Sequence, residues 1–323
     1  MHDSHFSPPW WLRSPHLQTI WSALFHRRYQ LDYLVDTVEL QDGDFIELCW
    51  SKRPSGRVVI ILHGLEGSIE SRNVNGLFHV LEQGGYRPVL MHFRGCGDRV
   101  NRLPRAYHSG DTGDIAEITE YIRDKTSSYP YAAVGISLGG NALLKWLGET
   151  GDSNPLQRAV AISVPFRLHD AAARLDRGFS RLYRNHLMSC LREKYNSKFS
   201  VMKSPLDVDV SSLRSFFEYD DQVTAPLHGF AGVEDYYTRS SSRQFLKAIR
   251  RPTRIIHAMD DPFMYPETVP DADELSSAID LRLSQHGGHA GFISSARFMT
   301  DRGNSGLGSW SEYMTLAFLD SDQ

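Results

Sequence analysis

Cysteine is scarce in this chain. Its 323 residues include three, Cys49, Cys96 and Cys190. They are far apart, odd in number and form no Cys-x-x-Cys pair, which excludes a disulfide framework and a cysteine-built zinc site. Three reduced thiols in a cytoplasmic protein are the expectation. Long hydrophobic runs are missing as well. No stretch approaches the ~18 apolar residues that span a bilayer. The N-terminus has acidic and polar residues and two prolines before any apolar run, so it does not read as a signal peptide. Basic excess is also absent: 35 Lys and Arg face 39 Asp and Glu, a formal net charge of −4, so no nucleic-acid partner is expected. There is no His-Glu-x-x-His, and no Gly-Lys-Ser/Thr closes a glycine-rich loop. Although 14 histidines are present, His286 and His289 have no nearby third ligand in sequence, so neither a metal nor a cofactor is expected.

What remains is an ordinary globular composition, 41% hydrophobic and 23% charged. Short apolar segments at 35–40, 45–50, 58–62, 89–93, 131–136, 159–163, 253–258 and 279–284 predict about eight strands. Helical patterns at 73–83, 114–125, 141–149, 240–250 and 309–319 alternate with them, which predicts an α/β fold on a mainly parallel sheet. Asp42-Gly43-Asp44 joins the first two strands as a hairpin. Continuous runs such as Val58-Val59-Ile60-Ile61-Leu62 suit strands buried on both faces. Between about 165 and 238 no buried strand is legible, so this stretch is expected to be a helical lid inserted into a single domain. Arg174, Arg177, Arg181 and Arg184 in it are spaced as one helix face. Residues 167–203 hold nine Lys and Arg against three Asp and Glu, read as a solvated face or as an attractor of an anionic substrate or lipid head group. The N-terminal arm, about 1–34, carries Trp10, Trp11, Trp21 and Phe25. These aromatics are expected to pack on the protein's own surface, with peripheral lipid contact as the alternative.

The segment with the most chemistry is Gly135-Ile136-Ser137-Leu138-Gly139-Gly140, between a predicted buried strand and a predicted helix. That is the setting of a G-x-S-x-G nucleophile elbow: the glycines permit a strained turn and Ser137 projects from the sheet's carboxyl end. A serine hydroxyl needs a base and an acid that orients the base. Past the strand at 253–258 lie Asp260 and Asp261, and past the strand at 279–284 lies Gln285-His286-Gly287-Gly288-His289. The reading takes Ser137 as nucleophile, His289 as base ahead of His286, and Asp261 as acid ahead of Asp260. The backbone N–H of Leu138, and that of Leu65 in His63-Gly64-Leu65-Glu66-Gly67, are the expected oxyanion donors.

These residues resemble the YheT-like branch of the α/β-hydrolases, whose eukaryotic relatives include abhydrolase-domain lipid hydrolases. The matching segments are Pro15-His16-Leu17-Gln18-Thr19, His63 to Ser68, Met91 to Cys96, Tyr107 to Asp114, the elbow, Ser163 to Phe166, Asp176 to Phe179 and Gly287 to Phe292. The resemblance implies an α/β-hydrolase fold, a triad of Ser137, Asp261 and His289, and hydrolysis of short- to medium-chain acyl esters as small-molecule substrates. Acyl transfer on the same fold, and a non-catalytic binding protein that keeps the fold, are the alternatives.

Overall fold

The computed structural model describes residues 6–295 and 308–321. Its centre is an eight-stranded sheet. In chain order the strands are β1 (Tyr33–Glu39), β2 (Phe45–Ser51), β3 (Val58–Leu62), β4 (Arg87–Met91), β5 (Ala132–Ile136), β6 (Arg158–Ile162), β7 (Thr253–Ala258) and β8 (Ile279–Ser284). They lie in the order β1-β2-β4-β3-β5-β6-β7-β8. β2 is antiparallel to both β1 and β4, and the remaining neighbours are parallel. β3 shows why the sheet is central: Ile60 and Leu62 point into one apolar cluster, Val59 and Ile61 into the other.

Helices cover both faces. The first helix, α1 (Pro15–Leu24), belongs to the N-terminal arm. α2 (Arg72–Gln83) packs on the face of Val59, together with the C-terminal helix Trp310–Leu319. α3 (Gly113–Thr126) and α4 (Leu138–Thr150) pack on the other face through Ile115, Ile118, Leu143 and Leu147. A two-stranded ribbon of Ile293–Ser294 and Gly308–Ser309 was not expected from the sequence.

Most boundaries shift by one or two residues from the sequence reading, and three of the differences have clear local reasons. β4 ends at Met91, because the Phe93 N–H leaves the ladder and donates to His63 Nε2 at 3.0 Å. α4 begins at Leu138, three residues early, because Ser137 is itself the residue before the first turn. Ser242–Ala248 is a 3-10 helix, with the Ser242 and Arg243 N–H groups donating to Asn141 Oδ1 and Phe166 O.

Between β6 and β7 the chain carries α5 (Leu168–Leu175), α6 (Ser180–Val201), short helical turns over Phe216–Tyr219, Asp220–Thr224 and Ala225–Leu227, and the helix Val233–Ser240. These elements share their own core, which includes Leu175, Met188, Leu191, Phe216 and Val223. The four arginines do not share one helix face. Arg174 lies in α5, Arg177 in the turn, and Arg181 and Arg184 in α6, because Gly178 breaks the helix at φ +55°. Among the described residues no helix is long and apolar enough to cross a membrane, and no three His, Cys, Asp or Glu cluster as a metal site.

Candidate active site

Ser137 sits between β5 and α4 with φ 53° and ψ −118°, a conformation that L residues hold only where the surroundings enforce it. The enforcement is visible. A Cβ on Gly135 would lie 2.4 Å from Gly139 O, and one on Gly139 would lie 2.4 Å from Leu62 O. Only glycine lets strand, turn and helix approach so closely. The Ser137 N–H donates to Ile162 O at 2.8 Å, which fixes the turn to β6.

Three elements converge on this serine. His289 Nε2 is 2.9 Å from Ser137 Oγ, and His289 Nδ1 is 2.9 Å from Asp261 Oδ2. Asp261 is buried, and its other oxygen accepts the Phe263 N–H at 2.8 Å. The Phe263 ring stacks on the imidazole with centroids 3.9 Å apart. Asp260 points elsewhere: it accepts the Gly288 N–H at 3.0 Å and meets the exposed His286 at 3.2 Å. The geometry therefore separates the two adjacent pairs. Asp261 and His289 reach Ser137, whereas Asp260 and His286 brace the outside of the same loop.

The N-terminal arm holds that loop. Thr19 Oγ1 accepts the His289 N–H at 2.9 Å and donates to Pro15 O at 2.8 Å. Gln18, fully buried, donates to Leu12 O and Ile293 O at 3.0 Å and accepts the Ile293 N–H at 2.8 Å. Ser22 Oγ donates to Ala290 O at 3.1 Å, and Ser163 Oγ accepts the Ala290 N–H at 2.9 Å. Gln18, Thr19 and Ser163 were quoted among the matching segments but carried no role in the sequence reading. No local pattern announces contacts across 127 to 275 positions of chain.

Leu65 and Leu138 both border the cavity beside Ser137. Gly64 lies so close that a Cβ there would come 3.4 Å from Ser137 Cβ. Underneath, His63 is a spacer. Its Nδ1–H donates to Gly64 O at 2.7 Å, and its Nε2 accepts from Phe93. Burial pushes its pKa down to about 3, so it stays neutral. Glu66, at φ 54°, accepts from the Tyr107 hydroxyl at 2.7 Å and pairs with Lys194 of α6 at 3.0 Å. That ion pair ties the helical region to the base of the site.

For the Tyr107–Asp114 segment the sequence offered two readings, a wall of the active site or a loop and helix cap built from turn formers. Here Tyr107, His108 and Ser109 form a cavity wall. Asp114 anchors it with a two-point ion pair to buried Arg94, both bonds 2.7 Å, and Arg94 also meets Asp42 and Asp44 at 2.7 and 3.0 Å. Asn141 adds a bond to Ser109 O at 2.9 Å.

The resulting cavity holds about 160 Å³ and has Ser137 and His289 in its wall. Leu168, Ala172, Leu175 and Leu187 of α5 and α6 form much of its roof, with Val223 and Leu227 beyond them. A few polar groups interrupt the apolar lining, among them Lys198 and Asp220.

A nucleophile elbow on the strand before α4, a histidine after the last sheet strand and this strand order define an α/β-hydrolase architecture. The chain belongs to the alpha/beta hydrolase fold family, whose sequence profile matches residues 57–296. Within that family it groups with YheT of Escherichia coli (strain K12), a protein named as an inferred esterase. The two are 37% identical over 298 residues, 90% of this chain and 88% of that protein. Phospholipase ABHD3 of Homo sapiens is 27% identical, over 89% of this chain and 73% of its own. Among solved structures, a serine hydrolase from Cycloclasticus zankles shares the fold at 14% identity. It superposes with a TM-score of 0.57 and covers 90% of this chain and 99% of its own.

Proposed function

We propose that this protein is a serine hydrolase of carboxylic esters. The observation that carries the reading is the continuous series Asp261–His289–Ser137, two bonds of 2.9 Å each, at the wall of an apolar cavity. His289 takes the proton from Ser137 Oγ as the hydroxyl attacks the ester carbonyl. The backbone N–H groups of Leu65 and Leu138 hold the oxyanion. Asp261 keeps the proton on Nδ1 and stabilises the imidazolium that forms, and His289 then protonates the leaving alcohol. Water activated by the same imidazole releases the acyl group. Leu168, Ala172, Leu175 and Leu187 suit an acyl chain of short to medium length, and the roof built by α5 and α6 acts as the lid. Relatives named for esterase and phospholipase activity support an ester as the substrate class.

The test is turnover of p-nitrophenyl acetate and butyrate by wild type and Ser137→Ala. The variant is expected to lose about 10³-fold or more in kcat, and undiminished turnover would overturn the reading. Transfer of the acyl group to an added alcohol in preference to water would make the protein an acyltransferase. Inertness of Ser137 to a fluorophosphonate probe would leave a binding protein.

A further inference from the structure

Helix α1 is built inside out. Surface helices normally bury an apolar stripe and expose a polar one. In α1 the buried residues are polar: Gln18, Thr19 and Ser22 are 0%, 7% and 6% exposed and are the residues that hold the His289 loop. The outward residues are apolar: Leu17, Leu24 and the following Phe25 are 47%, 58% and 61% exposed. Trp21 stands among them, its ring 4.8 Å from Trp11 and 5.0 Å from Phe25, so the aromatics form a continuous row. The surface continues onto the start of α6. The His16 ring lies tilted against Phe179 with centroids 4.3 Å apart, and Phe179 is exposed, as is Leu182.

Basic residues predominate at this face, although Arg28 pairs with Glu70 and Asp176 pairs with Arg184. From residue 6 to 31 the chain has Arg13, Arg27 and Arg28 and no Asp or Glu, while the whole chain carries −4. Arg177 and Arg181, both exposed, stand on either side of Phe179. Exposed Trp, Phe and Leu fringed by arginine on a short helix match the physics of a segment lying in the bilayer interface, where apolar burial and attraction to anionic head groups add. An aqueous interface gives no reason for a helix to turn its leucines outward.

We propose that the outward face of α1, continued by Phe179 and Leu182 and fringed by Arg13, Arg177 and Arg181, docks on an anionic lipid bilayer. The helix rests on the loop that carries His289, so docking places the candidate active site at the membrane surface.

The test is co-sedimentation of the full chain with vesicles of phosphatidylcholine, with and without phosphatidylglycerol. Wild type is expected to bind the phosphatidylglycerol vesicles, and to bind less in about 0.5 M salt. Leu24→Glu/Phe25→Glu is expected to lose about tenfold or more in binding, while its thermal midpoint and its turnover of soluble p-nitrophenyl butyrate stay those of wild type. No binding by wild type, or equal binding by the variant, overturns the proposal. So does a wild-type dimer in sedimentation velocity that the variant splits, because the face would then cover a second copy. Ser137→Ala is expected to bind vesicles like wild type, so failure of the hydrolase reading and failure of docking are told apart.

Discussion

Asp260 and Asp261 are neighbours in sequence with different tasks in space. Asp261 is buried against His289 Nδ1, while Asp260 accepts from Gly288 and meets His286 at the surface. Asp261→Asn should therefore cost about 10³–10⁴-fold in kcat, because an amide cannot stabilise the imidazolium and favours the wrong tautomer. Asp260→Asn keeps an acceptor for the Gly288 N–H and should stay within about threefold of wild type, since exposed pairs contribute little. Steady-state kinetics on p-nitrophenyl butyrate measure both, and a larger loss in Asp260→Asn would exchange the roles. Sequence order ranked Asp261 ahead of Asp260 without deciding between them, because both lie within three residues of the end of β7. The approach of His289 to Ser137 was legible because glycines mark both turns. Thr19 was not, since its role is a bond to a residue 270 positions away.

The same contrast runs through the elements. Strands β3, β7 and β8 were legible to the residue: β3 is a continuous apolar run, β7 centres on Ile255-Ile256, and β8 alternates apolar and polar residues as an edge strand does. Strand order was not legible, because pairing β4 between β2 and β3 depends on crossovers rather than on any one segment. The helical region was visible as a lack of strands, yet the break at Gly178 and the inward reach of Lys194 to Glu66 needed three dimensions. Its contact with the cavity leads to a prediction about acyl length. Ala172 on α5 is a small residue in the cavity wall. Ala172→Phe should fill the space in which a longer acyl chain lies and leave acetate turnover within about threefold. Each methylene excluded from apolar contact costs about 0.8 kcal/mol, or about fourfold, so octanoate should lose well over tenfold in kcat/KM. A panel of p-nitrophenyl esters from acetate to octanoate reads the slope. A uniform loss across the panel would mean that α5 does not border the acyl site.

For the molecule as a whole, burial of histidine is the feature with a global consequence. His63, His92, His108, His228 and His257 all have pKa values lowered by burial, His63 to about 3 and His257 to about 4. The unfolded chain protonates each near pH 6.5, which the folded chain resists. Three carboxyls act in the opposite sense. Burial raises Asp111 and Asp220 to about 6 and raises Asp260 as well, so the fold retains protons there that the unfolded chain releases above about pH 4. Near pH 5.5 His63 and His257 each add nearly one proton to the unfolded side, His92, His108 and His228 add in the same direction, and each of the three aspartates adds at most one to the folded side. The lowered histidines outnumber the raised carboxyls, so the unfolded state binds the larger number of protons and stability rises with pH. The urea midpoint is therefore expected to fall as pH is lowered from 7.5 to 5.5, with the loss beginning as pH drops through about 6.5, where the unfolded imidazoles start to charge. A midpoint that stayed level or rose over that interval would show that the buried carboxyls outweigh the histidines. His257→Asn should flatten the curve, because it removes one buried imidazole and with it nearly one proton of the difference.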